Sequence, residues 1–225
     1  MTKTVPNVST NDILLPNISR EGVNIVVLAF LIAAILLCFS AFLGSIALAA
    51  AIFTFYFFRD PERVAPDGRG LALAPADGIV LPIQETTYPK ETGEKGRCKK
   101  ISIFMSVFNV HVNRNPVSGA VLKTEYVEGK FADVRQDKDS EDNERSITLV
   151  ETDGAKVAVA QIAGYVARRV VNRLSAGDKA EAGERFGLIK FGSRLDVYLP
   201  AGEYEITVKP GQRTIAGETV IARRK

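Results

Sequence analysis

The chain has no tryptophan, one histidine, two methionines and two cysteines in 225 residues. Each scarcity removes a class of chemistry. A lone imidazole, His111, cannot build a multi-histidine metal site, and no metal cofactor is expected. Cys38 lies inside an apolar run and Cys98 in a lysine-rich loop, a pattern of neither a disulfide framework nor a zinc site. The 29 basic and 26 acidic side chains nearly balance, and no aromatic-and-basic platform stands out. Nucleic acid is therefore not an expected partner. With methionine only at positions 1 and 105, there is no Met-Lys-Met turn to carry a biotinyl or lipoyl arm.

Charge is also missing locally. From Val23 to Phe58 not one charged residue occurs in 36 positions. That exceeds a signal-peptide core and exceeds one membrane span of about 20 residues. As one helix it would reach about 54 Å, against a hydrocarbon core of about 30 Å. The run must break, and Gly44–Ser45 near its middle is the expected place. The expectation is a helical membrane hairpin dipping into or just across the bilayer. Aromatic Phe53, Phe55, Tyr56, Phe57 and Phe58, followed by Arg59, suit the membrane–water boundary. Lys3 and Arg20 precede the run and Arg59, Arg63 and Arg69 follow it, which predicts both ends on the cytoplasmic side.

Three segments follow: a polar tail over 1–22, the anchor over 23–58 and a β domain over 59–225. The last alternates short Val-, Ile- and Tyr-rich runs with Gly, Pro and Asp, which predicts an antiparallel β sandwich or barrel. Expected strands are 78–83, 100–112, 119–127, 146–151, 157–162, 186–189, 194–198 and 205–208. "GDKAEAGER" (177–185) and "GQRTIAGET" (211–219) share G-x-basic-x-x-A-G-E. With "APADGIV" (74–80) they are similar to the hairpin turns of carrier sandwiches, and predict a hairpin repeat.

Within "LIKFGSRLDVYLP" (188–200), period two puts Ser193 on one face with Leu195, Val197 and Leu199. Gly192 interrupts the strand just before it, as a bulge or as an opening for close backbone approach. His111 shares parity with Ile101, Ile103, Met105 and Val107, and is predicted to point inward as a core residue or as a general base. Asp77 in "PADG" reads as turn chemistry or as a partner for that base. Of adjacent Arg168 and Arg169, one can face an anionic site.

Together, "FFRDPER" (57–63), "PADG" (75–78), "FMSVFNVHVNRNPVSG" (104–119), "NER" (143–145), "ARR" (167–169) and "FGLIKFGSRLDVYLP" (186–200) resemble the short bacterial phosphatidylserine decarboxylases. The resemblance implies self-cleavage between Gly192 and Ser193. In it Ser193 attacks the Gly192 carbonyl, an N-to-O acyl shift gives an ester, and β-elimination leaves a residue that becomes a covalent pyruvoyl group. It makes His111 the base, Asp77 the carboxylate orienting it, and the pyruvoyl at 193 the cofactor that takes the substrate amine as a Schiff base. The implied partner is phosphatidylserine in a bacterial inner membrane, with the catalytic domain on the cytoplasmic side. The fragments 1–192 and 193–225 should stay associated, and exposed strands allow a homo-oligomer. One departure stands out: longer relatives carry H-x-x-H here, with the first histidine assigned to decarboxylation, and this chain has Phe108 in that place. Two other readings predict different behaviour. A membrane-bound serine hydrolase using Ser193, His111 and Asp77 would keep an intact chain that reacts with a fluorophosphonate. A tethered carrier-type β module would neither cleave nor react.

Overall fold

The computed structural model describes residues 17–130, 134, 142–164, 170–190 and 193–225. Gly192, Arg168 and Arg169 lie outside the described residues. Contacts divide the chain into two units, Met1–Glu62 and Arg63–Lys225.

The first unit holds two helices, α1 (Val23–Phe39) and α2 (Ala41–Phe57), in contact with each other. The break falls at Ser40, four residues before the predicted Gly44–Ser45. Ser40 is extended (φ −157°, ψ 119°), donates its N–H to the Leu36 carbonyl and accepts the Leu43 N–H on its hydroxyl at 3.4 Å. One serine thus closes α1 and caps α2, satisfying backbone groups that a helix end leaves open. Ser45 bonds back to the Ala41 carbonyl at 2.7 Å, so it sits inside a regular helix. Gly44 serves contact instead: a Cβ there would lie 2.5 Å from the Leu37 side chain. Val26, Ala33, Gly44 and Ala51 are buried, while Leu28, Leu31, Ile35, Leu43 and Ile46 are exposed. Small residues thus face the partner helix and large apolar ones face outward. Each helix is about 25 Å long. Among the described residues no helix is long and apolar enough to cross a membrane.

The second unit is antiparallel β, as the turn spacing predicts. Its early strands are β1 (Leu71–Leu73), β2 (Gly78–Val80), β3 (Gln84–Thr87), β4 (Arg97–Met105) and β5 (Val112–Arg114). Next come β6 (Gly119–Val127), β7 (Arg145–Thr152), β8 (Ala155–Ala163), β9 (Val170–Asn172) and β10 (Lys179–Ala180). The chain closes with β11 (Arg185–Ile189), β12 (Ser193–Pro200), β13 (Tyr204–Ile206), β14 (Arg213–Thr214) and β15 (Val220–Arg224). The main sheet runs β10-β6-β7-β8-β12-β4-β2-β14, with β3 also on β4. Two small sheets, β1-β15-β13 and β5-β11-β9, complete the fold. One apolar core draws on all three, with Ile103, Val159 and Val197 from the main sheet, Ile221 from the first small sheet and Phe186 from the second.

β12 lies between β4 and β8, bonded on both sides, with Ser193 opposite Met105 and Ala163. Leu195, Val197 and Leu199 enter the core as period two requires. Arg194 and Asp196 point to the other face, buried there as an ion pair with 2.7 Å bonds to each carboxylate oxygen.

A continuous strand over 100–112 was expected, but β4 ends at Met105. Asn109 stops it by taking the Ser106 N–H on its side-chain oxygen (2.9 Å) and donating its own N–H to the Ser106 carbonyl (2.9 Å). This local bonding competes with the ladder and turns the chain. His111 follows that turn and leads into β5, so its burial does not come from the strand parity that predicted it.

The predicted repeat exists in space. Gly177 and Val121 exchange backbone bonds in the same way as Gly211 and Val80, through Asp178 and Gln212. The Ala182 N–H donates to Ser118 Oγ at 2.9 Å, and the Ala216 N–H donates to Asp77 Oδ1 at 2.8 Å. "NPVSGAV" (115–121) is thereby the counterpart of "APADGIV". The two turns meet at Gly183 and Gly217, with φ of +85° and +75°. A Cβ on Gly217 would lie 3.3 Å from the Gly183 Cα, so this crossing needs glycine on both counts.

Candidate active site

Ser193 opens β12 at the middle of the main sheet and has no solvent exposure. Its hydroxyl points to the core face and donates to Met105 Sδ at 3.4 Å, a weak acceptor. Below it lies a buried polar cluster. Asn113 Nδ2 donates to the His111 carbonyl (3.2 Å) and approaches the same Met105 sulfur (3.9 Å). Gln161 Nε2 donates to Asn113 Oδ1 (2.8 Å) and to the Val171 carbonyl (3.0 Å). Ser193, His111, Asn113 and Gln161 are all fully buried, in a low-dielectric setting where each polar contact weighs more than in water. Gly187 leaves the space that Gln161 uses, since a Cβ there would lie 2.7 Å from Nε2.

His111 Nδ1 stands 2.9 Å from the Asn109 carbonyl. A carbonyl only accepts, so Nδ1 carries a proton, and in the neutral form of the ring the lone pair then lies on Nε2. That is the tautomer a general base needs. Asp77 makes its bonds elsewhere. Oδ1 takes the Ala216 N–H, and Oδ2 pairs with Arg63 at 3.0 Å, both side chains being largely buried. Ser118, the repeat counterpart, makes the first of these bonds and, among the described residues, has no counterpart of the second. The turn needs one acceptor oxygen; the second oxygen of Asp77 is surplus to the turn.

Ser193 and Asp77 lie at one end of the sheet, where β12 and β2 begin and β4, β8 and β14 end. His111 is tied to that end through Asn113, whose Nδ2 faces both the His111 carbonyl and the Met105 sulfur. Register continued from Ile79↔Phe104 brings Gly78 beside Met105, the residue that flanks Ser193 from the other side. "NER" also acts here. Asn143 Nδ2 donates to the Ala163 carbonyl (2.8 Å) and the Glu144 carbonyl accepts the Ala163 N–H (2.9 Å), fixing the residue opposite Ser193. Arg145 pairs with Glu91. Burial pushes the Glu91 pKa up, but the Arg145 hydrogen bond and a backbone bond outweigh it and hold the carboxyl below its ordinary value.

Phe108 is exposed at the turn after β4 and offers no titratable group. A cavity of about 430 Å³ lies on the opposite face of the sheet, lined by Glu91, Lys100, Arg145, Arg194 and Asp196 among others, and contains none of the three candidates. Sequence reading named Arg63 only as a charge flanking the apolar run and did not single out Asn113 or Gln161. The first two stood inside quoted motifs, but only a partner across the fold gives them a role.

A family model described as phosphatidylserine decarboxylase matches residues 50–222. A phosphatidylserine decarboxylase proenzyme of Ruegeria pomeroyi is 49% identical over 213 residues, covering 94% of this chain and 97% of its own. Another, from Solidesulfovibrio magneticus, is 50% identical over 183 residues, covering 81% and 84%. A third, from Wolbachia pipientis wMel, is 43% identical over 211 residues, covering 92% and 91%.

Proposed function

Since this chain belongs to the phosphatidylserine decarboxylase family, we propose that it is made as a proenzyme, cuts itself between Gly192 and Ser193, and then converts phosphatidylserine to phosphatidylethanolamine. The observation that carries the reading is Ser193 itself. It is a wholly buried hydroxyl at the first position of a strand held on both sides, directly after the glycine. The Gly192 carbonyl is joined to Ser193, so attack on it needs no entry from solvent, which favours self-cleavage over the serine-hydrolase reading.

The Ser193 hydroxyl adds to the Gly192 carbonyl, the C–N bond breaks and the hydroxyl proton ends on the freed nitrogen, leaving an ester. His111 Nε2 is the base that carries that proton. The cut follows when the 193 Cα loses its proton and the Cβ–O bond breaks, releasing residue 192 as a carboxylate. Water then displaces ammonia from the dehydroalanine at 193 to give the pyruvoyl carbonyl. The Asn109 carbonyl holds the ring at Nδ1 and Asn113 fixes the His111 backbone by its bond to the carbonyl, while Asp77 enters as the orienting carboxylate on the family resemblance alone. Residues 193–225 stay seated, because β12 is bonded to β4 and β8 of the larger fragment. The setting of Ser193, dry and flanked by the Asn113–Gln161 amides, suits a pyruvoyl group in its place. When formed, that carbonyl supplies the electron sink for loss of carbon dioxide from the serine head group. Phe108 cannot donate a proton, which leaves His111 as the sole imidazole for returning one.

The charge-free hairpin, small residues inside and large apolar ones outside, is read as a lipid-embedded anchor that enters the bilayer without crossing it. Its flanking arginines favour the cytoplasmic side of a bacterial inner membrane, and self-association of whole molecules through sheet edges is part of the same reading. Mass spectrometry of purified protein tests the centre of the proposal. Two chains are expected, 193–225 bearing a carbonyl at its start, and Ser193→Ala should remain one chain. An intact wild-type chain that still decarboxylates would refute it.

A further inference from the structure

Outside the helices, six large apolar side chains are exposed among the described residues; Leu122 and Tyr126 stand apart on β6, and the other four lie together. Val64 (64%), Phe108 (63%), Ile79 (42%) and Ile215 (42%) gather at the end of the sheet where Ser193 and Asp77 lie. Ile215 directly follows β14 and precedes Ala216, whose N–H holds Asp77. The Val64 N–H donates to Glu218 Oε1, and the Glu218 N–H donates to the Ile215 carbonyl, so Val64 and Ile215 share one corner. Ile79 opens outward from β2 between Arg213 and Phe104. Phe108 projects from the four-residue turn that ends β4, next to the start of β2. Exposed apolar residues are ordinary when single; a set on one rim is not.

We propose that this rim is a membrane-docking surface of the β unit, set against a bilayer containing anionic lipid; the inference rests on the decarboxylase reading. Three observations favour a bilayer over a protein partner. The substrate is itself a bilayer lipid whose head group must reach a wholly buried residue at this end of the sheet. Its apolar groups sit on a turn and on strand ends, which can sink among head groups without a shaped recess to receive them. Exposed Arg213, the cross-strand neighbour of Ile79, adds a cation suited to an anionic leaflet. On this view phenylalanine at 108 is a contact with lipid, in a position where a histidine would stand in longer relatives.

The chain's lack of tryptophan makes the test clean. Phe108→Trp, Ile215→Trp and Glu85→Trp are each placed alone in the full chain. The proteins are reconstituted into phosphatidylcholine–phosphatidylserine vesicles whose acyl chains carry bromine, a contact quencher. Position 85 is exposed on β3 opposite Lys99, six residues along β4 from Met105 and so about 20 Å from the rim. Loss of most emission at 108 and 215, with none at 85, is the expected result. Unquenched emission at 108 and 215 overturns the proposal. A blue shift that follows protein concentration, without quenching, also overturns it and points to a second copy. As a second measurement, Ile215→Glu should lower kcat/KM about tenfold on vesicle phosphatidylserine, the loss expected for one buried isoleucine. It should leave turnover of a soluble short-chain phosphatidylserine unchanged. Equal losses on both substrates refute the surface role. No turnover of either substrate by the wild-type protein would instead refute the decarboxylase reading, and the quenching result would still decide this one.

Discussion

Replacing Asp77 by serine separates its two duties, because Ser118 already performs one of them in the other half of the repeat. Asp77→Ser keeps an oxygen for the Ala216 N–H and removes the oxygen that faces Arg63. The lost bond is charge-assisted, 3.0 Å long and 14–16% exposed at its side chains, which puts its contribution at about 2 kcal/mol. For a unit of this size that corresponds to a fall in Tm of roughly 6 °C. Asp77→Ala loses the turn acceptor as well. It strands a buried N–H at a further cost of about 1–2 kcal/mol, and its Tm should fall roughly half as far again or more. Self-cleavage should respond differently. Both variants lack the carboxylate, so both should process about 10²–10⁴-fold more slowly, whatever their stability. Thermal denaturation gives the first quantity, and the rate at which 193–225 appears on a denaturing gel gives the second. Wild-type processing in Asp77→Ser would reduce Asp77 to a turn residue and remove it from the chemistry.

Other outcomes follow from single contacts. His111→Ala should slow processing more than Asp77→Ser, with partial recovery in added imidazole; unchanged gel kinetics would exclude His111 from the cut. Glu91 has a folded pKa below its unfolded value, so its contribution is present above about pH 4.3 and is lost as pH falls through the folded pKa. The Tm gap between wild type and Glu91→Gln should therefore be widest near pH 7 and shrink as pH falls below about 4.3 and through the folded pKa, and a gap that does not shrink in acid would contradict the assigned ion pair. Burial raises the Cys98 thiol pKa to about 11, so alkylation near pH 8 should require unfolding. Gly44→Leu should open or overpack the helix pair by about 1–3 kcal/mol, detectable as faster proteolysis between α1 and α2.

Alternation and turn spacing were legible wherever a strand had one apolar face: 119–127 was read with its observed bounds, and Ser193 with its observed face. Legibility ended where a side chain overruled the period. Asn109 stops β4 by binding Ser106, and nothing in the apolar count of 100–112 announces it. Ser40 likewise outranked Gly44 as the helix break. The choice depended on which serine could cap and on how closely Gly44 approaches Leu37, both properties of the folded pair. The site roles of Arg63, Asn113 and Gln161 were invisible for a similar reason, since their partners stand 14, 48 and 10 or more positions away.

If the chain is cut at 192–193 as proposed, the Arg194–Asp196 pair acquires a second role. A strand that begins at a fresh terminus has no covalent stop against sliding between its neighbours. Displacement by one residue would carry both charges of that pair into the apolar core and turn residue 193 away from it. Leaving a charge in such a core costs several kcal/mol, far more than the loss of one ladder bond. The ion pair therefore works as a detent for β12. It adds little to the strength with which the small fragment is held, and it fixes the height at which that fragment presents its first residue.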